Sequence, residues 1–197
     1  MLKDRIQQYI TQQTTKGKEG VSLFKEEKDY AEEHELITGP LNEMDETERF
    51  ADAYIERCDK ESENLIRNES FAFLTQPLVY FYKHKNEFIY LESKWFDIVL
   101  VDAVSLELDD VFGTYDVMLG LKLQKKFQPQ LKQYFSDNMH GEQASFDLLF
   151  NSEEGLWNIN FALNYLAGFD ENMTIGEAYQ LIYQFLFKLV VTVEAGV

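Results

Sequence analysis

Apolar residues recur along this chain with two different periods, and the point where the period changes divides it. At the N-terminus the spacing is helical. Leu2, Ile6, Tyr9 and Ile10 predict a first helix to about Gln13. Thr14 to Gly20 is polar, contains Gly17 and Gly20, and reads as a linker. Ser22 is placed to cap a second helix with Leu23, Tyr30 and Ile37 on one side, and Gly39-Pro40 is placed to stop it. A third helix is expected from Asn42 or Asp45 to about Asn68. Its stripe is Ala51, Tyr54, Ile55, Cys58, Leu65 and Ile66, spaced by threes and fours.

From Phe71 onward the period becomes two. Leu78 to Tyr82 and Glu87 to Leu91 flank His84-Lys85-Asn86 as a hairpin, with Pro77 just before its first strand. Phe96 to Leu108 reads as a longer strand, apolar on both faces and interrupted by Asp102. A fourth helix is expected through Leu119, Leu123, Phe127 and Leu131, ended or kinked near Gln128 by Pro129. A second hairpin follows. Phe146, Leu148 and Phe150 alternate on one side of the Asn151-to-Gly155 turn, and Trp157, Ile159, Phe161 and Leu163 on the other. Thr174-Ile175-Gly176-Glu177 is a capping box, and Ala178, Ile182, Phe185, Leu189 and Val193 run down one face of the helix it opens.

Strands without regular helical alternation imply α+β. The expected domain, residues 42–197, has a mainly antiparallel sheet of about five strands in the order β-β-β-α-β-β-α, with packed helices. Residues 1–41 are expected to form an N-terminal acidic helical arm. This order, with the acidic composition, resembles that of small secretion-chaperone-type domains over about Asn42 to Val193.

Charge narrows the class of partner. The chain has 35 acidic and 18 basic residues, a formal net charge of −17. From Glu26 to Glu69 there are 16 acidic residues against 5 basic ones. Duplex affinity comes mainly from Lys and Arg on phosphates, so nucleic acid is not an expected partner. An anionic membrane surface is disfavoured for the same reason. A basic protein, a cation, or solubility alone remain. Cys58 is the only cysteine, so no internal disulfide forms and the expected location is cytoplasmic. The N-terminus lacks the apolar run of a secretory signal, and the longest apolar stretch, Leu181 to Val193, is too short to span a bilayer.

Marked chemistry is sparse. His34, His84 and His140 are far apart, so no metal site is expected. No nucleotide loop or nucleophile elbow occurs, and neither a cofactor nor a catalytic residue is assigned. Cys58 sits on an apolar stripe and reads as a structural thiol. Glu107, Asp109, Asp110, Glu153 and Glu154 read as turn chemistry rather than a cation site. Asp102, with Asp97, is the choice for an acid/base pair. Lys122, Lys125 and Lys126 form the one basic cluster, expected on a solvated helix face.

The expected function is binding without catalysis. A chaperone-like or immunity-like protein would use Glu26, Glu27, Glu32 and Glu33 on an acidic helical surface to engage a basic partner, and a homodimer is plausible. The alternative is an enzyme or small-ligand sensor with a carboxylate-containing pocket near Asp102.

Overall fold

A computed structural model describes residues 1–15 and 20–196. Residues 16–19 of the expected linker lie outside the described residues. In chain order the elements are α1 (Leu2–Thr15), β1 (Val21–Leu23), α2 (Lys25–Glu33), β2 (Leu41–Glu43), β3 (Tyr54–Asp59) and β4 (Leu65–Glu69). There follow α3 (Tyr80–Lys83), β5 (Glu87–Glu92), α4 (Lys94–Ile98), β6 (Val101–Asp109) and β7 (Thr114–Leu121). The chain ends with α5 (Gln128–Asn138), β8 (Phe146–Asn151), β9 (Leu156–Ala162) and α6 (Ile175–Ala195). The class is α+β with a large antiparallel sheet.

That sheet has seven strands, not five, in the order β4-β3-β5-β6-β7-β9-β8. β1 and β2 form a separate parallel pair. The element order expected from the secretion-chaperone resemblance does not hold, because the third helix is absent. Residues 54–69 are instead the hairpin β3–β4. Ile55 and Cys58 lie three residues apart and therefore on opposite faces of β3. Ile55 pairs with Leu91 and Cys58 with Phe88. Ala51, Tyr54, Leu65 and Ile66 are exposed, so the expected buried stripe does not form.

Three other boundaries move. Leu78 to Tyr82 is not a strand; Leu78 is buried just before the short helix α3 and Phe81 within it. The expected strand from Phe96 splits into α4 and β6, and Ser93 caps α4 through the Trp95 N–H. The expected fourth helix divides into β7, a 3-10 turn and α5, and Pro129 opens α5 instead of ending a helix. Near the N-terminus, Ser22 lies in β1 and not at a cap, and α2 ends at Glu33, before Gly39-Pro40. The hairpin β8–β9 and the α6 capping box stand where the alternation and the box predict them.

Burial alternates along β6, β7 and β9, so the sheet has one inner face. Val104, Val117 and Phe161 point inward and are buried. α6 lies on that face. Its Tyr179 hydroxyl donates to the Ile89 carbonyl at 2.9 Å, and its Phe185 ring packs 5.3 Å from Phe161. α5 adds Phe135, 5.5 Å from Phe161. Leu2, Ile6, Val21 and Phe24 belong to the same core cluster.

Candidate functional site

The outer face of the sheet carries no helix among the described residues. Following the register, one row across it is Glu56, Tyr90, Ser105, Met118, Asn160 and Asp147. The neighbouring row holds Tyr54, Glu92, Ala103, Gly120, Asn158 and Leu149. Acids thus lie among apolar groups on a surface of alternating side chains. Cations are few here. Lys60 pairs with Glu107 at 3.1 Å, and Lys122 pairs with Asp102.

Across β5, β6, β7, β9 and β8 this face sinks into a shallow groove of about 580 Å³. Tyr90, Asp102, Met118, Asp147, Leu149 and Asn158 are among its lining residues. Gly120 lies in its floor, where a Cβ would meet the Leu156 Cδ2 at 3.4 Å, an ordinary contact distance. A second hollow of about 420 Å³, around Asp109, Phe112 and Asp116, shares Asp147 and Asn160 with the first. Burial raises the Asp116 carboxyl above its ordinary range, against a hydrogen bond donated by the Thr114 hydroxyl at 3.0 Å. Burial likewise raises the Tyr90 hydroxyl, which donates to Glu92 at 2.6 Å.

The residues singled out in the sequence fall in different places. Asp102 lies at the bulge in β6, largely exposed, and lines the groove. Asp97 sits on α4, where burial first and the Asp102 charge second raise its carboxyl. The Asp102 carboxylate pairs with Lys122 at the surface, and its charge reaches Asp97. Lys122, Lys125 and Lys126 do not share a helix face. Lys125 lies over Phe150 at 5.7 Å and Lys126 over Phe127 at 5.0 Å. His34 stacks on Tyr30 at 3.9 Å and His84 on Tyr80 at 4.0 Å. Among the described residues no group of three or more His, Cys, Asp or Glu is arranged to hold a metal ion. No helix of the described residues is long and apolar enough to cross a membrane.

The four glutamates of α2 divide. Glu32 and Glu33 are exposed. Glu27 is fully buried and Glu26 partly so, and both pair with Arg49. The Arg49 guanidinium is 2.8 Å from Glu27 Oε1, and lies 4.3 Å from the Phe24 ring and 4.1 Å from the Tyr183 ring. The Tyr183 hydroxyl also donates to Glu27. This cluster ties α2 to α6 through the 3-10 turn before Arg49. Gln180 reinforces the tie by donating to the Glu46 carbonyl at 2.7 Å.

Beyond Asp102, which interrupts the apolar run of β6, the outer-face groove has no signature in the sequence, because it is assembled from five strands whose order is set by pairing. The alternation Asn158/Asn160 against Ile159/Phe161 marks a two-faced strand, but nothing in it says that the polar side is left uncovered. No family model matches the chain, and no curated protein or solved structure matches it significantly.

Proposed function

We propose that this protein works by binding, in a cytoplasmic setting, and that it engages a basic protein partner in a chaperone-like or immunity-like role. One observation carries the reading. Among the described residues helices cover the sheet on one side only, and the uncovered side combines Glu92, Glu107, Asp116 and Asp147 with Met118, Leu149 and Leu156. Exposed apolar area ringed by charge mostly of one sign is the composition of a recognition surface. Of the α2 glutamates, Glu32 and Glu33 remain available to extend that surface. Glu26 and Glu27 serve the fold instead. The groove beside Asp102, with Tyr90 and Asn158 on its walls, favours a second reading as a small-ligand sensor.

The test compares capture by the parent protein with capture by a Glu92→Gln/Glu107→Gln/Asp147→Asn variant, at low and physiological salt. Basic proteins retained by the parent at low salt should be lost by the variant and weakened by salt, since charges beyond about 8 Å are screened at physiological ionic strength. A Glu32→Gln/Glu33→Gln variant reports the share of α2. Capture unchanged by the sheet-face substitutions and by salt would remove the proposal.

A further inference from the structure

The seven-stranded sheet ends in two edges of different chemistry. At the β4 edge the pairing with β3 slips between Arg57 and Cys58, so that Ile66 is skipped, and Arg67 and Glu69 stand in the strand. A break in the ladder and charged side chains are the devices that keep an edge from pairing with another chain. The β8 edge has no break and a single charge. It runs in unbroken register from Phe146 opposite Phe161 to Asn151 opposite Leu156. It contains no proline, lysine or arginine, and its one charge is Asp147. Its inward-facing residues Phe146, Leu148 and Phe150 remain partly exposed although they back onto the core. On its outer face Leu149 is 69% exposed.

An edge strand presents unpaired N–H and C=O groups, so the occupant it fits is another strand, apolar toward both faces. We propose that this occupant is a second copy of the chain, and that β8 pairs antiparallel with the partner's β8 about a two-fold axis at Leu149. The charge pattern selects this register. Centred on Leu149, the strand sets Leu149 against the partner's Leu149, Leu148 against the partner's Phe150, and Asp147 against the partner's Asn151. Centring on Asp147 would oppose two carboxylates directly. Centring on Leu148 would set each Asp147 against an apolar Leu149, and centring on Phe150 would bring Asp147 to Glu153 of the turn. Like charges directly opposite one another are destabilising, whereas apolar cross-strand pairs are favourable.

The seam also bears on the groove. Asp147 and Leu149 line it from β8, so the pairing sets the partner's Leu149 at its rim and joins two grooves into one surface. The seam is short, about six residues, and an interface below the usual 1,200–2,000 Å² class gives an affinity of roughly micromolar order. Each copy carries a formal charge of −17. Their mutual repulsion is screened by salt, so the dimer should tighten as ionic strength rises. Binding of a basic partner has the opposite salt dependence. The two readings therefore fail separately.

Sedimentation equilibrium over about 5–200 μM, a range set around micromolar affinity, should show a monomer–dimer equilibrium that shifts toward dimer with added salt. Leu149→Lys should weaken it about ten-fold or more while leaving the thermal melt of the monomer unchanged, because Leu149 is exposed. In a Cys58→Ala background, Leu149→Cys should form a disulfide-linked dimer on mild oxidation, since directly opposed residues lie about 4.5–5.5 Å apart at Cα. Glu153→Cys, displaced from the axis, should not. A monomer at every concentration and salt, a dimer indifferent to Leu149→Lys, or equal cross-linking through residues 149 and 153 would each overturn the proposal.

Discussion

Arg49 holds α2 against the rest of the molecule. It is 1% exposed and bonded to Glu26 and Glu27, with aromatic rings on either side. Removing one member of a buried ion pair leaves the other charge uncompensated. Arg49→Ala should therefore cost about 3–5 kcal/mol in urea unfolding, while Glu27→Leu with Arg49→Met should cost less than the single change. A double variant as damaged as Arg49→Ala alone would mean that ring packing, not charge, sets the cost. Glu87 is one acid whose pairing makes stability depend on pH. Burial raises its carboxyl, but hydrogen bonds from Tyr80 and Arg57 outweigh this and hold it below the ordinary 4.5. A carboxyl depressed by folding stabilises above its unfolded pKa, and that contribution is lost as pH falls through the folded value. The contribution of Glu87 should thus decline below about pH 4.5, where the unfolded carboxyl is half-protonated and the folded one still charged. Glu87→Gln should flatten that decline and cost about 1.5–3 kcal/mol at neutral pH. Cys58 is 4% exposed and burial pushes its thiol up, so thiol reagents should label it slowly until denaturant is added.

At the scale of elements, the sequence speaks clearly where a local signal has one meaning. The α6 box is such a signal. The Thr174 hydroxyl accepts from the Glu177 N–H at 3.2 Å, and Glu177 Oε2 accepts from the Thr174 N–H at 2.6 Å. Thr174→Ala should cost about 1 kcal/mol in equilibrium unfolding, and no loss would mean that tertiary packing alone fixes the start of α6. The hairpin β8–β9 was equally legible, because strict alternation across a Gly155 turn has no helical counterpart. Leu119, Leu123 and Phe127 misled, since residues four apart share a face in a strand as well as in a helix. Leu119 is on β7, whereas Phe127 precedes α5. Ile55 and Cys58 misled for a different reason. Spacing by three looks helical, but here each residue is buried against a different layer: Ile55 in the helical side and Cys58 among its neighbours on the outer face. Short apolar runs carry no mark of their layer. The groove inherits that silence, because its walls come from strands brought together by long-range pairing.

For the whole molecule the balance of charge is the feature that composition did convey, and it acts on stability as well as on partners. The chain has 35 acidic and 18 basic residues. Several of the cations are already engaged, Lys25 with Asp29, Lys28 with Glu43, Lys94 with Asp52 and Lys122 with Asp102. The remaining acids are spread over the outer sheet face, the turns and α2, with no comparable supply of cations beside them. Such a surface repels itself, and the unfolded chain relieves that repulsion by expanding. Salt has two opposed effects here. It screens the exposed ion pairs, each of which contributes about 0–1 kcal/mol, and it screens the general repulsion. The Arg49 cluster is buried and should respond little. With acids in such excess, the repulsive contribution should dominate, and raising ionic strength from about 10 to 150 mM should raise the melting temperature. For a chain of this length each kcal/mol gained corresponds to about 2–4 °C. The measurement is a thermal melt followed by circular dichroism at several concentrations of a weakly interacting salt, at a protein concentration low enough to keep the chain monomeric. A melting temperature that falls with salt would show that the surface ion pairs outweigh the repulsion, and that the acids are held by local partners and not left free to face a basic one.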